Sequence, residues 1–176
     1  MERHDLARAI FDAAHLTGEF VLRSGATSNE YFDKYLFEAD PVLLREIAEH
    51  LAPSIPEGTE VLAGLELGGV PIAVALSQVT GLPTLFVRKE AKSYGTAKLA
   101  EGGTIGGRRI TVVEDVVTSG GQVILSCADL RERGADILGV LCVIDRQAGG
   151  PEKLAEHDLA LSPLFTMDEL KASQQA

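Results

Sequence analysis

From about residue 60 onward, the chain alternates short apolar runs with longer stretches that end in glycine, and this rhythm limits its possible folds. Glu60–Ala63, Thr84–Arg88, Ile110–Glu114 and Ile137–Ile144 read as strands. Val70–Thr80 and Gly120–Arg133 read as helices, stopped by Gly81 and Gly134. Short apolar strands joined through helices pair in parallel and are covered on both sides. The pattern therefore predicts an α/β fold, a parallel sheet with helices on both faces. Ligands in such folds bind beyond the carboxyl ends of the strands, where loops meet helix N-termini.

The flanking segments are simpler. Leu6, Ile10, Ala13 and Leu16 recur at helical spacing and predict a helix over Asp5–Thr17. Phe20–Arg23 and Tyr31–Phe37, around the polar turn Ser24–Glu30, read as a hairpin. Asp40-Pro41 starts a helix with an N-cap acid and a proline at the first position, and Leu44, Ile47 and Leu51 give it an apolar face. Thr166 and Glu169 fit a capping box for a short last helix. Lys89–Gly107 lacks periodicity, and a loop of that length in a compact domain is usually functional or disordered.

Composition excludes several classes. At 176 residues the chain fits one domain with room for a small subdomain. No run approaches the roughly 18–20 apolar residues of a membrane span, and MERHDLAR lacks a signal-peptide pattern, so the expected location is the cytoplasm. Cys127 and Cys142 have no CxxC spacing and read as buried free thiols. A formal charge of −10 argues against general nucleic-acid binding. Within that acidic chain, Arg88, Lys89, Lys92, Lys98, Arg108 and Arg109 face only Glu90 and Glu101 along one segment. Such a basic, glycine-rich stretch suits a small polyanion. His4, His15, His50 and His157 are scattered without HExxH spacing, and neither a GxSxG elbow nor a GxxxxGK[ST] loop occurs.

The chemistry concentrates in Ile110–Gly121. An apolar strand ends in Glu114-Asp115, and Val116-Val117-Thr118-Ser119-Gly120-Gly121 then leads into a helix. Backbone N–H groups at such a helix start surround a phosphate well, and glycine permits close approach. Two carboxylates would repel that phosphate, so they suit another part of the same ligand. Vicinal ribose hydroxyls, which donate to carboxylates, are the natural choice.

This run resembles the phosphoribosyl pyrophosphate (PRPP) motif of type I phosphoribosyltransferases. The resemblance implies that family's fold, with residues 1–37 and the C-terminal segment as a hood and 88–109 as a mobile catalytic loop. It also implies that Glu114 and Asp115 bind ribose, while Val116, Val117, Thr118, Ser119, Gly120, Gly121 and Gln122 wrap the 5-phosphate. Three further segments resemble the orotate phosphoribosyltransferases within that family. Gly18–Gly25 with Tyr31-Phe32 is similar to the hairpin over orotate, with Arg23 where the family often has Lys. Arg88–Thr96 is similar to the start of the catalytic loop, with Tyr94 where many relatives carry His. Val143–Gln147 is similar to the strand end whose arginine, here Arg146, pairs with the orotate carboxylate.

By that resemblance Arg88, Lys89, Lys92 and Tyr94 contact pyrophosphate, Lys92 and Asp115 are catalytic, and Arg23, Tyr31, Phe32, Thr118 and Arg146 bind orotate. Mg²⁺, carried mainly by PRPP with no dedicated protein ligands, is the implied cofactor, and a homodimer with the loop acting across its interface is the implied assembly. Gly64–Pro71 aligns with the family's pyrophosphate loop, but Gly68 stands where some members have Lys. A purine phosphoribosyltransferase and a non-catalytic PRPP sensor are the competing expectations. Arg146 disfavours the first, since a purine has no carboxylate, and the intact cations disfavour the second.

Overall fold

The computed structural model describes residues 1–21, 25–90 and 99–175. In chain order they form α1 (Arg3–Ala14), β1 (His15–Val21), β2 (Thr27–Phe32), α2 (Lys34–Ala39), α3 (Pro41–Leu51), β3 (Val61–Leu65), α4 (Gly69–Thr80) and β4 (Thr84–Val87). There follow β5 (Ala100–Glu101), β6 (Arg109–Val117), α5 (Gly121–Glu132), β7 (Asp136–Asp145), α6 (Gly150–Ala155), β8 (Leu161–Thr166) and α7 (Met167–Ala172).

Six strands form one sheet in the order β5-β4-β3-β6-β7-β8, parallel except for β5 at the edge. Successive side chains of a strand point to opposite faces, so one apolar run feeds two cores. Leu62, Val113, Leu141 and Val143 join α1–α4 and α7 on one face. Val61, Ala63, Val112, Val140 and Cys142 join Val123, Cys127 and Leu130 of α5 and Leu154 of α6 on the other. The predicted two-sided parallel sheet is what the chain builds. Both cysteines are buried and free, and desolvation pushes the Cys127 thiol up to about 12, which leaves it inert.

Several boundaries differ from expectation, each for a local reason. The first helix stops at Ala14 rather than Thr17, because His15, Leu16 and Thr17 pair with Phe32, Tyr31 and Glu30. The second hairpin strand stops at Phe32 rather than Phe37. Asp33 then accepts from the Tyr35 amide and caps α2. The strand expected to end at Glu114 runs on to Val117, carrying both acids inside the sheet. Within Lys89–Gly107, Ala100 and Glu101 pair with Val87 and Phe86 and extend the sheet by one short strand. The helix starts at Asp40-Pro41 and the capping box at Thr166 and Glu169 form as read. Among the described residues, no helix is long and apolar enough to cross a membrane.

Chain ends meet on one face. The Arg3 guanidinium donates to Leu164 O at 2.7 Å and to Glu169 at 2.9 Å, and Arg8 Nε donates to Ser173 O at 3.1 Å. These contacts set α1 and the β1–β2 ribbon beside α7, near the carboxyl ends of β7 and β8.

Candidate active site

From β3 the chain crosses first to β4 on one side and later to β6 on the other, so connections diverge between β3 and β6. A crevice opens at the carboxyl ends of strands where such a reversal occurs. The loop after β3 and the Glu114–Gly121 run meet there.

Glu114 and Val116–Val123 line a cavity of about 240 Å³. Gly120 takes a left-handed conformation (φ 74°) and turns the chain directly into α5. No side chain caps the first turn of α5, so its amides and dipole face this cavity. The concave lining, small side chains and helix start suit an anion.

Asp115 is absent from that lining and is fully buried. Its Oδ2 lies 2.5 Å from Lys34 Nζ, and its Oδ1 accepts from the Val116 amide. Glu38, also from α2, is buried alongside. A Cβ on Gly68 would overlap Asp115 Oδ2 and come within 2.8 Å of Glu38 Oε1, so glycine here leaves room for two carboxyls. Burial alone would raise the Asp115 carboxyl, but the Lys34 ammonium together with hydrogen bonds from Glu114 and Glu38 outweighs it and holds Asp115 below the usual range. Burial and then Asp115 push Glu38 up to about 9 and Glu114 up to about 8. Near neutral pH one carboxylate, Asp115, therefore faces one ammonium, Lys34.

A second cavity, about 360 Å³, brings together Tyr31 and Phe32 from β2, Arg146 from the end of β7, and Phe11, His15, Met167 and Lys171. Phe11 stacks on His15 at 4.6 Å and lies 6.3 Å from Phe32, giving one wall of flat apolar rings. Arg146 is exposed and supplies a cation to this space, and its amide donates to Val117 O at 2.8 Å. That bond extends the β6–β7 pairing and links the aromatic cavity to the glycine loop. The Arg88 amide donates to Leu99 O, and the Lys89 amide donates to Glu66 Oε1 at 2.6 Å, which tethers the basic segment to the loop after β3. A larger cavity of about 530 Å³ between α3 and α4 contains none of these groups.

A phosphoribosyl transferase domain matches residues 39–162. An orotate phosphoribosyltransferase of Nocardioides sp. is 52% identical over 97% of this chain and 96% of its own length. The chain belongs to the orotate phosphoribosyltransferase family. The orotate phosphoribosyltransferase of Natronomonas pharaonis is 42% identical over 99% of the chain and 100% of its own length. The Mycobacterium tuberculosis orotate phosphoribosyltransferase crystallised with PRPP shares the fold, with a TM-score of 0.83 and 24% identity over 96% of this chain and 98% of that one.

Of the residues that membership in the orotate phosphoribosyltransferases singles out, the structure gathers Glu114, Val116, Val117, Thr118, Ser119, Gly120, Gly121 and Gln122 around one cavity. It gathers Tyr31, Phe32 and Arg146 around another. Asp115 lies outside that lining but in contact with Glu114, whose Oε1 accepts from the Asp115 amide at 3.0 Å. Arg23, Lys92 and Tyr94 lie outside the described residues. Sequence reasoning missed Lys34, Glu38, His15 and Lys171. A capping Asp33 followed by a Lys and Glu four apart was the available signal for the first two, and neither His15 nor Lys171 sits in a motif.

Proposed function

We propose that the chain transfers the phosphoribosyl group of PRPP to orotate, giving orotidine 5′-monophosphate and pyrophosphate in pyrimidine nucleotide synthesis. The observation that carries this reading is the junction of two unlike cavities, a glycine-rich anion cradle and an aromatic space with Arg146, joined by the Arg146–Val117 bond. In this reading Val116–Gln122 hold the 5-phosphate, Glu114 and Asp115 hold the ribose hydroxyls, and Tyr31, Phe32, Thr118 and Arg146 hold orotate. Arg23 would support the orotate side.

The C1–oxygen bond to pyrophosphate breaks as a ring nitrogen of orotate bonds to C1, through a transition state resembling a ribosyl oxocarbenium ion. Orotate reacts through its ionised ring, so orientation and leaving-group neutralisation do most of the catalysis. Arg88, Lys89, Lys92 and Tyr94 supply the neutralising and hydrogen-bonding groups, and closure of 88–109 excludes water from PRPP. Among the described residues no group of three or more His, Cys, Asp or Glu could hold a metal, while the phosphate cradle is open. Mg²⁺ would arrive on PRPP, where it would offset pyrophosphate charge. A cytoplasmic homodimer, with the loop of one subunit serving the other, completes the reading and is testable by sedimentation.

The deciding assay measures pyrophosphate release from PRPP and Mg²⁺ with either orotate or a purine base. Release that depends on orotate supports the proposal. Release with the purine alone points to a purine phosphoribosyltransferase, and none with either points to a PRPP-binding regulator. Arg146→Ala is expected to raise the KM for orotate by about 10- to 100-fold, the worth of a charged hydrogen-bonded pair, with a much smaller change for PRPP. Equal changes for both substrates would remove Arg146 from orotate recognition.

A further inference from the structure

We propose that Lys34 and Glu38, four residues apart on α2, are positioning residues that keep the Asp115 carboxylate ionised and fixed directly behind the PRPP cavity, from which it serves the ribose. This rests on the reading of Asp115 as a ribose ligand.

Three acids crowd the carboxyl end of β6: Glu114 and Asp115 from the strand and Glu38 from α2. Among the described residues, the charged and titratable groups near them are Lys34, the Cys142 thiol of β7, and, through its ring 5.3 Å from the Lys34 ammonium, Tyr35. Gly68 adds backbone alone. Two buried carboxyls, Glu38 and Asp115, and the half-buried Glu114 cannot all be charged beside one ammonium, so the protons must be distributed among them. Lys34 Nζ decides the distribution, because it lies 2.5 Å from Asp115 Oδ2. The Val116 amide holds the other oxygen, so the carboxylate is fixed at both ends. Glu38 Oε1 is buried without a hydrogen-bond partner and, as the space beside Gly68 shows, adjoins Asp115. A protonated Glu38 fits that place as a neutral donor.

A simple tie between helix and strand would not need this arrangement. A structural ion pair works with either carboxyl of the pair Glu114-Asp115 and gains nothing from a second acid behind it. A ribose hydroxyl, by contrast, donates best to an ionised acceptor. Lys34, whose side chain is 34% exposed, brings its charge from solvent into a fully buried carboxylate beside the PRPP cavity.

The test uses the full chain, with activity followed against pH and folding followed by circular dichroism and thermal melting. Lys34→Met is expected to raise the KM for PRPP by about 10-fold or more, with the KM for orotate changed little. Removing the ammonium raises the Asp115 pKa, so the acid limb of kcat/KM for PRPP should move to higher pH by about one unit or more. Lys34→Arg should restore most of both. An unmoved acid limb, or equal loss for both substrates, overturns the proposal. Glu38→Gln keeps a neutral donor and should lose less than Glu38→Leu; equal loss in two folded variants also overturns it. Wild-type protein without orotate-dependent pyrophosphate release would instead defeat the proposed function, which separates the two failures.

Discussion

Gly68→Ala is expected to cut kcat/KM for PRPP by about 100-fold or more, the scale of a misplaced catalytic group, in a chain that still folds. The added methyl would occupy the position of Asp115 Oδ2 and crowd Glu38 Oε1. Asp115 cannot retreat easily, since Lys34 and the Val116 amide grip both its oxygens. The methyl therefore displaces either the carboxylate or the loop after β3, and both border the proposed PRPP site. Overpacking of this kind costs about 1–3 kcal/mol of stability, which thermal melting would register separately. Steady-state kinetics and calorimetry with PRPP provide the readout. Wild-type affinity would show that the Asp115 position is not needed for PRPP. With no side chain at position 68, Lys34 enters from α2 and the space beside the loop holds carboxyls.

Lys92→Ala is expected to lower kcat by about 10²–10³-fold, the usual loss when one preorganised charge-stabilising group is removed, with little change in PRPP affinity. Pyrophosphate gains charge as it leaves, so a cation meeting it only in the transition state affects turnover more than binding. Lys92 itself lies outside the described residues, but both flanks of its segment are anchored at the site. Arg88 N bonds to Leu99 O at 2.9 Å, and Lys89 N bonds to Glu66 in the loop after β3. Rapid-quench and steady-state rates would measure the effect. An unchanged kcat would exclude Lys92 from catalysis and leave Arg88 and Lys89 as the cations to examine.

The sheet was legible because β3, β6 and β7 are apolar on both faces and glycines mark the helix ends. The anion cradle was legible for a related reason: acids, hydroxyls and glycines follow one another within a single run. Other features depend on residues far apart in sequence. Lys34 lies more than 80 positions from Asp115, and its six-residue helix is too short to show a period. Leu36-Phe37 mimics the end of a strand, and only the Asp33 cap reveals otherwise. The two acids of β6 looked like the end of the strand because charge inside a sheet is costly, and Lys34 and Glu38 are what make it tolerable there. The aromatic cavity draws on α1, β2, β7 and α7, so no local window could display it.

The clasp between α1 and α7 sets an order of assembly. Residues 61–159 hold every buried member of the core that α5 and α6 cover, so that side of the sheet can close while later residues are still being synthesised. Arg3 and Arg8 must wait for Leu164, Glu169 and Ser173, which are more than 160 positions downstream. Contacts at such separation form slowly and add to the chain's contact order. A growing chain on the ribosome would therefore complete the glycine-loop side first. The aromatic cavity, which needs both α1 and α7, would mature only after α7 had emerged.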